Sequence, residues 1–221
     1  MRVRILSVLP TAALALLFVA SASDMRADTI FSNFGGGQTY NGMSWWDVGN
    51  VVGGSQVDAF SFTPNETSFV TGASLAIAAI DSASTPLNVF IESNVGGMPG
   101  AILDTLTQQG TFPLYPATAV VTYTCSGTCT ALNEGETYWI VAQQSDSSNT
   151  TAWLYSPTDS GDWFYNILDS PTGPWTPAST GFSFSAFDVT GTPVPEPTSL
   201  ALLGSGLLGI VAVARRRLSR G

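Results

Sequence analysis

The chain has 221 residues, with 7 Lys or Arg against 16 Asp or Glu, a formal net charge of −9 and no histidine. All the basic residues are arginines, at positions 2, 4, 26, 215, 216, 217 and 220, so residues 28–192 hold every acid except Asp24 and Glu196 and no base. A nucleic-acid grip needs Lys and Arg to displace counterions, and catalysis by a His or Lys base needs those side chains; both are excluded.

At the N-terminus, Arg2 and Arg4 precede an apolar run from Val8 to Ala20, followed by Ser21, Ala22 and Ser23. A positive start, a short apolar run and small residues at its exit predict a secretory signal peptide over residues 1–27. Ala20-Ser21-Ala22 fits the cleavage pattern, and Met25-Arg26-Ala27 is a poorer second site. The run falls short of the ~20 apolar residues of a spanning helix, which argues against a retained anchor.

Residues 28–192 have the length of one domain with a substantial core. Apolar positions alternate at Phe60/Phe62, Leu75/Ile77/Ala79, Leu87/Val89/Ile91, Tyr138/Ile140/Ala142 and Phe182/Phe184. A period of two marks strands with one buried face. Turn-forming clusters separate them at 52–55, 96–100, 133–136 and 171–174. Short strands punctuated by Gly, Pro and Asn predict an all-β antiparallel sandwich.

Three stretches of this body resemble exported bacterial sandwich domains, the choice-of-anchor proteins among them. They are the opening Asp28-Thr29-Ile30-Phe31-Ser32-Asn33-Phe34, the strand-turn-strand from Val89 through Pro99-Gly100 to Leu103, and Leu132-Asn133-Glu134-Gly135-Glu136-Thr137-Tyr138-Trp139. The resemblance implies a jelly-roll-like sandwich and no established activity.

The C-terminal segment, residues 193–221, reads Pro195-Glu196-Pro197, an apolar stretch over 199–214, then Arg215-Arg216-Arg217. As a helix the stretch would span about 24 Å, workable in a ~30 Å core through thinning or snorkelling arginines. Three arginines would keep the C-terminus cytoplasmic as a membrane stop, with the body outside. This tripartite tail resembles the PEP-CTERM sorting signal, a segment also labelled ice-binding protein C-terminal domain. The resemblance implies a transient partner, an exosortase, which would cut near Pro195-Glu196-Pro197. The plainer reading is an anchor that is never cut. An ice-binding surface would need a regular Thr array, and no fixed-period repeat is visible.

Cys125 and Cys129 are the only cysteines. Without histidine they cannot complete a tetrahedral zinc site, and an exported chain favours a local disulfide over two free thiols. No metal site and no cofactor is implied. The remaining catalytic option is a carboxylate pair, as in glycoside hydrolysis. Glu66, Glu92, Glu134 and Glu136 qualify by type, and Asp159 and Asp162 by nearness to Trp163. Asp159-Ser160-Gly161-Asp162 is also dense in oxygen ligands, but lacks the EF-hand spacing.

Trp139 reads as a core residue within a strand. Trp45, Trp46, Trp163 and Trp175 lie in Gly/Pro/Asp-rich surroundings, where ring faces either stack on sugar rings or cap the core. The sequence thus predicts a non-enzymatic, exported envelope or matrix protein associated with exopolysaccharide. The alternative is a carboxylate-dependent polysaccharide hydrolase.

Overall fold

Successive side chains of a strand face opposite ways, so each alternating run fixes which residues can share an interior. The computed structural model describes residues 27–81, 86–158, 162–178 and 183–194. Among them there is no helix, and the strands run β1 (Asp28–Ser32), β2 (Asn41–Val51), β3 (Gly54–Phe62), β4 (Ser68–Ala79), β5 (Leu87–Val95), β6 (Met98–Gln108) and β7 (Ala119–Cys125). They continue with β8 (Ala131–Leu132), β9 (Tyr138–Gln144), β10 (Thr150–Tyr155), β11 (Trp163–Asn166), β12 (Thr176–Pro177) and β13 (Phe187–Pro193).

Strands β4, β10, β2, β3, β9, β5, β6 and β7 pair antiparallel in that order, and β7 pairs back onto β4. The expected all-β antiparallel character is therefore present, but the hydrogen bonding closes into an eight-stranded barrel rather than leaving two separate sheets. The reason is the length of β4. One edge pairs with β7 from Gly72 to Ile77; the other takes β13 from Ser68 to Leu75 and then β10 from Ile77 to Ala79. Strand β1 lies outside β13. Strand β11 joins β3 at Val57–Phe60, beyond the three residue pairs that β2 makes with β3 at their hairpin.

An eight-stranded barrel is just wide enough to be filled by side chains. Phe60, Phe62, Leu75, Ile77, Val89, Ile91, Ile140 and Trp153 fill this one, and every inward set read from the alternation of β3, β4, β5 and β9 belongs to the same cluster. Two patches on the outside are buried as well. Over β3, β9 and β5, Val57, Ala59, Phe90, Trp139 and Val141 lie beneath Phe164 and Trp175. Trp139 is thus fully buried, as expected, but on the outer side of the wall. Over β4 and β10, Ala76, Ala78, Ala152, Leu154 and Ala186 form the second patch.

Two local expectations change. Met98-Pro99-Gly100 begins strand β6, and the turn is confined to Gly96-Gly97. Phe184 is not in a strand; it packs on the core beside the Tyr155–Ser185 bridge, while Phe182 lies outside the described residues.

Both ends of the described chain emerge at one end of the barrel. Asp28 pairs with Gly191, Pro193 pairs with Ser68, and Val194 N–H donates to Thr67 O at 3.1 Å. The loop over residues 63–67 at that end also meets the 133–137 loop, through Gly135 N–H to Pro64 O (3.1 Å) and Glu134 N–H to Thr67 Oγ1 (3.0 Å).

Candidate functional site

Strand β2 reads Asn-Gly-Met-Ser-Trp-Trp-Asp-Val-Gly-Asn-Val, a mixture of glycine and polar residues that resembles a loop. Pairing overrides that composition: Gly49–Trp45 lie opposite Thr150–Leu154 of β10. Trp45 and Trp46 are therefore strand neighbours with side chains on opposite faces. Trp46 packs on the barrel interior and Trp45 on the outer alanine patch.

Trp46 meets Trp163 with ring centroids 3.8 Å apart and planes at 31°. Trp163 in turn stacks on Phe60 (5.9 Å, 6°), and Trp46 touches Tyr155 (5.5 Å). The Trp46 indole N–H donates to Ser183 O at 2.9 Å. These rings fill the gap where β2 leaves β3 and β11 takes its place. Trp175 lies over the other outer patch, with its indole nitrogen buried and making no hydrogen bond. The four tryptophans singled out in the sequence therefore form no common surface.

Trp45 has different company. Its ring lies 4.9 Å from that of Tyr115, and Phe34 and Tyr40 lie 6.3 Å apart on the same patch. All four rings are half-buried. Ala76, Ala78, Ala152 and Ala186 beneath them carry only methyl groups, so the wall stays flat enough for rings to lie on it. Polar groups edge the rings: the Trp45 indole N–H donates to Asp47 Oδ1 at 2.9 Å, and Tyr40 Oη lies 2.9 Å from Thr118 Oγ1. Half-exposed rings with hydroxyl and carboxylate neighbours are suited to the apolar faces and hydroxyls of sugars. Sequence reasoning found Trp45 alone, because nothing local joins residues 34, 40 and 115 to it.

The carboxylates fall into buried and exposed sets. Asp58 pairs with Ala142 and faces the interior. Gln56 Nε2 donates to its Oδ1 at 2.9 Å, and its Oδ2 makes no hydrogen bond. Burial pushes its pKa up to about 8, against the lowering influence of Gln56 and of the nearby Trp163 indole, with which no hydrogen bond closes. Glu92 pairs with Trp139, so its side chain starts on the outer face; it is fully buried, neither oxygen has a partner, and burial alone raises its pKa to about 8. Glu134, Glu136 and Asp162 are exposed and Glu66 half-buried. Glu136 Oε2 accepts hydrogen bonds from Asn133 Nδ2 (3.1 Å) and Tyr138 Oη (3.0 Å), a turn-bracing arrangement. Asp159 lies outside the described residues.

Cys125 and Cys129 are joined in a disulfide. The loop it closes is pinned by Asp104, whose oxygens accept the Thr130 N–H at 3.2 and 3.1 Å. Asp104, Cys125 and Cys129 place their ligand-type atoms within 4.8 Å of one another. With both sulfurs in the disulfide, neither is a thiolate, so the cluster offers a metal only the carboxylate.

From residue 195 on, the tail lies beyond the described residues, Pro195, Glu196, Pro197 and Arg215 to Arg217 included. Residues 193–217 match the PEP-CTERM protein-sorting motif. The motif marks an exported protein made as a membrane-anchored precursor and processed by an exosortase, with its destination in the envelope or outside. The match covers the tail and does not extend to the barrel. No curated protein matches the chain.

Proposed function

We propose that the protein is an envelope or extracellular-matrix component that associates with exopolysaccharide through the aromatic patch on the outer wall of the barrel, without catalysis. The observation that carries this reading is the grouping of Phe34, Tyr40, Trp45 and Tyr115 on an alanine floor, edged by Asp47 and Thr118. In the same reading, residues 1–27 are removed as a signal peptide. The 199–214 stretch holds the precursor in the inner membrane until cleavage near Pro195-Glu196-Pro197. The barrel is then a choice-of-anchor body, a kinship resting on the Asp28–Phe34 opening.

The hydrolase reading has one observation in its favour, since a raised carboxyl pKa is what a general acid requires. Glu92 and Asp58 have it, yet they start on opposite faces of the β3–β9–β5 wall, whereas glycoside hydrolysis needs two carboxyls flanking one bond within ~10 Å. Both are sealed from solvent.

The test uses the exported, processed protein and the exopolysaccharide of the cell that makes it. Retention of protein on the polymer with unchanged polymer length supports the proposal. Shortening of the polymer that disappears in Glu92→Gln or Asp162→Asn would establish the hydrolase instead.

A further inference from the structure

The end of the barrel from which the chain leaves at Val194 also carries a projecting hairpin. Ser93 of β5 pairs with Tyr138 of β9, Tyr138 pairs with Phe62 of β3, and Phe62 leads into the 63–67 loop that binds Val194. Strand β5 runs past that row to Val95, turns at Gly96-Gly97 and returns at Met98. Both glycines have left-handed φ, 63° and 83°, as a two-residue hairpin turn requires. The turn is braced by Ser93 Oγ, which accepts the Ala101 N–H at 3.0 Å.

This tip is apolar and open. Val95 and Met98 are 60 % and 44 % exposed, and as directly opposed residues they point to the same face. Residues 93–103 contain no charge. On the sorting tail, Leu200 is the first apolar side chain of the 199–214 stretch, and an extended chain from Val194 to Leu200 reaches at most about 20 Å. The barrel of the tethered precursor is therefore confined near the membrane with this end closest to it.

We propose that the Val95–Met98 tip rests in the outer surface of the bilayer while the precursor is tethered by its tail. This rests on the tail acting as a membrane anchor. Two apolar side chains make a weak contact by themselves, but the tether raises the effective concentration of membrane enough to populate it. Glu66, Glu134 and Glu136 lie in the loops of the same end and are repelled by anionic headgroups, so the contact is limited to the hairpin. Release of the tail removes the tether, and the contact with it.

The experiment uses the full-length precursor reconstituted in vesicles of phosphatidylethanolamine with a minor share of phosphatidylglycerol. An environment-sensitive dye is attached at Val95→Cys or, as a reference, at Val52→Cys, which is fully exposed on the hairpin at the opposite end. The native cysteines are in the disulfide and do not take the label. The Val95→Cys probe should shift to shorter wavelength and lose most of its emission to spin-labelled lipid, while the Val52→Cys probe keeps both. Equal behaviour of the two probes overturns the proposal. So does a Val95→Cys probe that is shielded only in native membranes containing the exosortase, which would assign the tip to a protein partner. Flotation separates the premise: a precursor that does not rise with the vesicles is not anchored, and the sorting reading fails along with the tip.

Discussion

Trp46 and Trp163, from strands that do not pair with each other, lie with ring centroids 3.8 Å apart. They sit where β2 and β3 separate after three residue pairs, and the stack continues through Phe60 to the barrel interior. Each ring closes the wall by covering the other. Trp45, one residue from Trp46, faces the opposite way and keeps an outward ring.

Removing one half of the stack should therefore cost stability. Trp163→Ala leaves Trp46 and Phe60 without their shared neighbour, at a cost of about 3 kcal/mol. For a domain of this size that is a fall of roughly 10 °C in Tm. Thermal unfolding of the parent and the variant checks it; a Tm within experimental scatter of the parent would mean the seam does not depend on the pair.

Trp45→Ala should do the reverse. The ring lies on alanines at the surface, so its loss should change stability by about 1 kcal/mol or less. If the patch binds polysaccharide, losing one stacking face should weaken binding about tenfold, equivalent to ~1.4 kcal/mol. Parallel co-sedimentation and melting curves separate the two effects. Unchanged binding in Trp45→Ala would remove the patch from the proposed function.

Glu92 makes stability depend on pH in an unusual direction. Its folded pKa of about 8 lies above the ordinary 4.5 of the unfolded chain, because burial disfavours the charge. Between those values the unfolded chain has released a proton that the folded protein retains. Stability is therefore full at acid pH and falls as pH rises through the window, by about 1.4 kcal/mol per pH unit for each such group. Asp58, raised from 3.8 to about 8, acts with the same sign. Glu92→Gln should match the parent near pH 4, show a flatter decline and be the more stable protein at pH 8. Denaturant titrations across that range that gave parallel curves would contradict the assignment.

The disulfide closes a short loop, so its chain-entropy contribution is modest, about 2 kcal/mol. Cys125→Ser with Cys129→Ser should lower Tm by roughly 5 °C, and reduction of the parent should have the same effect. Complete alkylation of both cysteines in the exported protein without prior reduction would show that the bond does not form.

Much of the fold was legible because alternation is a local signal. Phe60/Phe62, Leu75/Ile77/Ala79, Leu87/Val89/Ile91 and Tyr138/Ile140/Ala142 all point inward as read. Alternation assigns faces but not partners, so it could not show that β4 pairs along both edges and closes a barrel. No alternation marked β2 as a strand, because its strand character comes from β10 and β3, which sequence proximity does not reveal. The aromatic patch was hidden for a related reason. Alanines are weak strand formers, and Ala76, Ala78, Ala152 and Ala186 acquire a role only when β4 and β10 place them side by side under Trp45 and Tyr115. Glu92 gave no sign of burial, since a lone acid in an apolar strand reads as solvent-facing. The disulfide was readable because two cysteines in an exported chain have one pairing available.

Sorting is the central claim, and the tail gives it a direct test. Proline has no backbone donor to give to a sheet or helix, and the tripeptide Pro195-Glu196-Pro197 carries two prolines within the matched sorting motif. Replacing Pro195, Glu196 and Pro197 with alanines should leave export intact, because the N-terminal segment is untouched. It should also block processing, so that fractionation and intact-mass measurement find the variant in the inner membrane with its apolar stretch and Arg215–Arg217 still attached, while the parent is shortened and released from that membrane. An alanine variant that is shortened and released like the parent would contradict exosortase sorting at this motif.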